Sequence, residues 1–128
     1  MTAATPEVTP VEPEPIAQAP SLPLKPVLRG WLHAGMFPAV IVAGLVLVAL
    51  ADSPRARVAC GVYVLTACLL FGISALYHRG DWGPRGEAVL RRLDHANIFL
   101  IIAGTYTPLT LLLLPDSTAK PLMWAVWA

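Results

Sequence analysis

In the stretch SALYHRGDWGPRGEAVLRRLDHANIF, residues 74–99, a histidine closes one apolar run and an aspartate opens the next. Ser74 precedes His78 by four residues, a spacing that puts both side chains on one face of a helix. A hydroxyl, an imidazole and a carboxylate are groups that ligate metals, orient water and carry protons. Ionisable side chains at the inner ends of apolar segments are costly unless they face a partner, water or a bundle interior. Their presence therefore points to an intramembrane site. His33 lies at similar depth, just inside the start of an earlier apolar segment. After Asp94, the residues Asn97, Ile101, Gly104, Thr105 and Pro108 continue one helical stripe at spacings of three, four and seven. That stripe is small and polar enough for a tightly packed face. His95 turns about 100° away from it, as neighbouring residues on a helix do.

Plainer roles stand open for the same residues. A histidine at a helix end can be an interfacial or capping group rather than a metal ligand. Asp94 can favour the positive amino-terminal end of its helix, or pair with Arg91 one turn earlier. Ser74 can bond to the carbonyl four residues back. Thr105, Tyr106 and Thr107, just before Pro108, suit a helix interrupted by proline, whose freed backbone groups need new partners. Cys60 and Cys68 are eight apart in one predicted helix, too distant for a disulfide and without metal-type spacing, and are expected in the core. No glycine-rich phosphate loop and no basic nucleic-acid patch is visible, which speaks against nucleic acid as a partner.

The elements that must position these groups follow from composition. Hydrophobic residues make up 56% of the 128-residue chain and charged ones 13%, outside the usual range of a soluble domain. No formal charge occurs over residues 30–51, 58–78 or 95–115, stretches of 22, 21 and 21 residues. A helix rises about 1.5 Å per residue and the hydrocarbon layer is roughly 30 Å thick, so each stretch is long enough to cross once. Helices are the economical choice, since lipid offers the backbone no hydrogen-bond partners. The sequence thus predicts an all-α integral membrane protein, a bundle with helices over about 30–51, 58–78 and 86–114.

The ends read differently. Residues 1–26 hold seven of the thirteen prolines together with Glu7, Glu12 and Glu14 and no apolar run, the composition of a disordered tail. They lack the charged start, short apolar core and small-residue cleavage site of a secretory signal, so the first hydrophobic segment is expected to be retained. A fourth apolar segment begins at Pro121 and runs for eight residues, too few to span, as expected of a piece of a larger membrane protein. Lys25, Arg29, Arg79, Arg85, Arg91 and Arg92 fall on one side of the membrane if the helices cross in order, against Arg55, Arg57 and Lys120 on the other. The excess of basic residues puts the amino terminus and the second loop in the cytoplasm of a multi-pass cell-membrane protein. Trp31, Trp82 and Trp124 lie near predicted boundaries, where amphipathic rings settle.

SALYH, followed by LRRLDHANIFLIIAGTYTP with its aspartate sixteen residues after the histidine, resembles the hemolysin III family, related to the progestin and adipoQ receptors. KPVLRGWLHAGMFPAVIVAGLVLV is similar to the first helix of its bacterial members, and the resemblance covers residues 25–128. It implies a seven-helix fold, of which this chain holds three complete helices and the start of a fourth, with Zn2+ held near the cytoplasmic side. By that resemblance His78 is a metal ligand, Asp94 approaches the metal through water and Ser74 is the motif serine, the latter two being the catalytic candidates. The family's other two ligands, a histidine-x-x-x-histidine pair on the last helix, are not in residues 1–128. The acidic and asparagine positions that some receptors carry before the first-helix histidine are not evident here, Arg29 standing four residues before His33. Three imidazoles leave a fourth zinc position for water, whose pKa the metal lowers to about 7. The function implied is a zinc-dependent hydrolase of lipid amides or esters, with a ceramide or phospholipid as substrate. A pore-forming cytolysin and a receptor-like membrane sensor are the alternatives.

Overall fold

The computed structural model describes residues 27–128, and the expected proline-rich tail over 1–26 lies outside the described residues. The described residues form four helices and no strand: α1 (Val27–Ala49), α2 (Pro54–Arg79), α3 (Pro84–Leu113) and α4 (Asp116–Trp127). The first three are long and apolar enough to cross a membrane. Each helix packs on its sequence neighbours, α1 on α2, α2 on α3 and α3 on α4. Short connections between such neighbours make successive helices antiparallel.

The starts of α2 and α3 precede the uncharged stretches, because proline and capping chemistry rather than hydropathy set helix ends. In α2, Ser53 is the N-cap, its Oγ accepting from the Ala56 N–H at 3.1 Å, and Pro54 follows at the first helical position. Pro84 opens α3 in the same way. The charged first turns of both helices, with Arg55 and Arg57 in one and Arg85 and Glu87 in the other, therefore belong to the helices. At 30 residues α3 is about 45 Å long, so its basic first turns extend past the hydrocarbon.

The fourth segment also departs from expectation. It begins at Asp116 rather than Pro121, with Pro115 as N-cap and an acidic residue in the first turn, where the helix dipole favours it. Pro121 lies inside α4, as Pro38 lies inside α1 and Pro108 inside α3. Twelve residues reach about 18 Å, short of a crossing. Arg55 Nη2 donates to Asp116 Oδ1 at 2.8 Å, joining the starts of α2 and α4. That hydrogen bond, with the guanidinium's charge, holds the Asp116 carboxyl below its ordinary range. The pairing is therefore present above the range in which an unfolded carboxylate titrates and is lost as pH falls through the lowered value. Both partners are exposed, so the contact is a weak one.

Helix contacts run through small residues. A Cβ built on Gly104 of α3 would overlap the Thr66 side chain of α2, so only glycine lets these backbones approach so closely. Thr66 turns its hydroxyl to the Tyr63 carbonyl at 2.9 Å, leaving no bare donor at the seam. At the opposite end of α2, a Cβ on Gly30 of α1 would sit 2.9 Å from His78 Cβ, so Gly30 is what admits the His78 backbone. The buried side chains are few and small, Ala59, Cys60, Ala67, Ala103 and Ala119 among the apolar ones. Cys60 is buried and Cys68 half-buried, both as free thiols, in keeping with a packing role. Leu28, Phe99, Leu113 and Trp124 are exposed, as lipid-facing residues are.

Candidate functional site

Where α2 ends and α3 passes it, an imidazole and a carboxylate face each other inside the bundle. His78 Nε2 lies 3.9 Å from Asp94 Oδ2, and the two side chains are 6% and 8% exposed. That separation is too long for a hydrogen bond and leaves room for one atom shared between the groups. Ser74, one turn before His78, is fully buried. Asn97, one turn after Asp94, is also buried and donates from Nδ2 to the Leu69 carbonyl at 3.1 Å, tying α3 to α2. Tyr77 lies against the His78 ring, centroids 4.7 Å apart and planes tilted by 55°.

This geometry removes three of the plainer readings. Asp94 stands ten residues into α3, in the third turn, whereas the pull of a helix dipole fades beyond the first. Its ion-pair contact is with His78, and none forms with Arg91, which is exposed. Ser74 Oγ is buried without a hydrogen-bond partner, so it does not bond back to its own helix. Thr66, Thr105 and Thr107 do so, at 2.7–2.9 Å. A buried hydroxyl without a partner is costly, and a water or ligand beside it would supply one.

The stripe on α3 is kept in part. Asp94, Asn97 and Gly104 are buried, but Thr105 and Pro108 are only half-buried, while Ala103, Thr107 and Thr110 are covered instead. The cover comes with α4, whose Trp127 Nε1 donates to Thr107 Oγ1 at 3.1 Å. His95 is exposed, as its helical angle predicts, and its Nδ1 lies 2.6 Å from the Arg91 carbonyl. Because a carbonyl only accepts, Nδ1 carries the proton in that contact. His33 presents its ring edge-on to Phe71 of α2, centroids 5.3 Å apart, and completes no cluster with His78 and Asp94. The contributions of Gly30, Tyr77 and Phe71 escaped sequence reasoning. Of these only Tyr77 carried a local signal, its adjacency to His78.

Among the described residues no three His, Cys, Asp or Glu side chains converge. The donors present, one imidazole with a carboxylate 3.9 Å away and a partnerless buried hydroxyl nearby in sequence, fit one corner of a metal site with a water position. They do not close a shell.

Residues 23–128 match the family model described as Haemolysin-III related. Over 72 residues the chain is 39% identical to the Bacillus cereus protein named Hemolysin-3, a match that covers 56% of this chain and 32% of that relative. The match thus spans about a third of the relative's length. No solved structure matches the chain.

Proposed function

Because this chain belongs to the haemolysin-III related family, we propose that it contributes to a zinc-dependent membrane hydrolase that cleaves an amide or ester bond of a lipid. The observation that carries the proposal is the buried His78–Asp94 pair at 3.9 Å, between two helices long and apolar enough to cross a membrane. Burying an imidazole and a carboxylate together is costly, and a cation with a reacting water would offset that cost.

In this reading His78 would hold the metal together with the two imidazoles of a histidine-x-x-x-histidine pair on the last helix. Zinc supplies Lewis acidity that makes a water nucleophilic near neutral pH. Asp94 would orient a water beside the metal and could accept its proton, and the buried Ser74 hydroxyl could donate a hydrogen bond to a neighbouring oxygen. Asn97 fixes the register of α3 on α2, so that the carboxylate stays opposite the imidazole. The amino terminus and the Gly80–Gly83 connection lie in the cytoplasm, by the excess of basic residues on that side.

The name of the Bacillus cereus relative favours a second reading, a pore-forming cytolysin. A pore needs a continuous polar path. Hydroxyls do continue along the bundle beyond Asp94, at Thr107, Thr110 and Thr66, but Thr66 and Thr107 are already bonded to backbone carbonyls of their own helices. Those hydroxyls are thus occupied within their own helices, which favours the hydrolase. The test is to purify the full-length protein and assay fatty-acid release from a panel of ceramides and phospholipids, beside leakage of dye-loaded vesicles. Release without leakage is expected. A protein inert on every lipid that permeabilises vesicles equally with and without Asp94 would transfer the assignment to the pore.

A further inference from the structure

A groove of about 660 Å³ opens between α1 and α2, lined by Ala34, Phe37, Gly72, Ala75, Leu76 and Arg79 and ended by Gly80 and Trp82. This volume lies within the range of small-molecule sites, about 300–1,000 Å³. Ala34, Gly72 and Ala75 keep the groove open because they are small, and Phe37 and Leu76 add apolar wall. A Cβ on Gly72 would come 3.0 Å from the Phe37 ring. At one end the Arg79 guanidinium sits 4.3 Å above the Trp31 ring, and the Trp82 indole N–H donates to the Leu76 carbonyl at 2.9 Å. Both contacts hold their groups in place. Arg79 has no carboxylate partner among the described residues, Asp81 two positions on included.

We propose that this groove binds one acyl chain of an anionic phospholipid, with the lipid phosphate on Arg79. A permanently charged guanidinium beside an apolar trough, flanked by two tryptophans at headgroup level, matches the two ends of such a lipid. Basic pockets between transmembrane helices on the cytoplasmic side bind anionic headgroups in general. A phosphate beside Arg79 would supply the counter-charge that no described carboxylate gives it. The groove face of α2, centred on residues 72, 75, 76 and 79, is turned about 130° from Ser74 and His78, counting about 100° per residue. The lipid would therefore be held apart from the His78–Asp94 pair, and the proposal stands whether or not that pair holds a metal.

Native mass spectrometry of the full-length protein in detergent, titrated with phosphatidylglycerol or phosphatidylcholine of the same acyl chains, tests the assignment. One basic residue near an anionic surface contributes about 1 kcal/mol, so phosphatidylglycerol should bind about fivefold more tightly. Arg79→Gln should equalise the two lipids and Arg79→Lys should keep the preference. Ala75→Trp should fill the groove and remove both lipids, and Arg92→Gln, on α3, should change neither. Inorganic phosphate at millimolar concentration should not displace the lipid. Circular dichroism identifies any variant that fails to fold, and the Arg79→Lys and Arg79→Gln comparison then decides by charge alone. A wild type without headgroup preference, a preference that survives both Arg79→Gln and Ala75→Trp, or a dimer that Ala75→Trp dissolves while lipid binding persists would overturn the proposal.

Discussion

A carboxylate in the third turn of α3 and an imidazole in the last turn of α2 meet because their helices run antiparallel, and their roles can be separated by chemistry. If Asp94 acts on a water and His78 on the metal, Asp94→Asn should keep most of the zinc, since an amide still hydrogen-bonds to water but cannot take its proton. Hydrolysis should fall by about 10²- to 10⁴-fold, the usual contribution of a positioned acid or base. Zinc content by plasma mass spectrometry beside the rate of fatty-acid release makes the comparison, and loss of metal in proportion to activity would make Asp94 a ligand instead. His78, Asp94 and Ser74 were legible in the sequence, because charge inside an apolar run is conspicuous and the family resemblance names all three. The plainer roles for Asp94 and Ser74 fell only with three-dimensional facts, the depth of Asp94 in its helix and the hydroxyl of Ser74 with no carbonyl to meet. His33 shows the reverse: depth along the chain suggested the site, and orientation sends its ring to Phe71.

Between elements, contact depends on residues that leave space. Gly104 meets Thr66 so closely that Gly104→Val should force α2 and α3 apart, at a cost of about 1–3 kcal/mol as for other overpacked seams. Thermal unfolding in detergent would show it as a lowered midpoint, and Thr66→Gly should recover part of the loss. An unchanged midpoint in Gly104→Val would mean that the seam is looser than the structure has it. The three crossings could be read from uncharged stretches alone, since hydropathy reports where lipid must be. Helix starts could not, because Ser53, Pro54, Pro84 and Pro115 set them through capping and fixed backbone angles, with charged residues already inside the first turns. For α4 an apolar window pointed to Pro121, whereas the helix starts at Asp116 and carries that proline inside.

At the scale of the molecule, α1 to α4 form a row in which each helix packs on its sequence neighbours, with the Arg55–Asp116 contact also linking α2 to α4, and many large apolar side chains face outward. Lipid or further helices must cover them. The proposed orientation is open to cysteine labelling once Cys60 and Cys68 are replaced. A cysteine at Gly86 should be shielded from impermeant thiol reagents in intact cells and one at Ser117 should react, with the opposite pattern reversing the topology. The central claim is that His78 ligates zinc while His95, exposed on another face of α3, does not. Its most direct test is the zinc content of the purified full-length protein in wild-type, His78→Ala and His95→Ala forms. The account predicts close to one zinc per chain in wild type, most of it lost in His78→Ala and little lost in His95→Ala. Equal losses in the two variants, or a wild type without zinc, would contradict it.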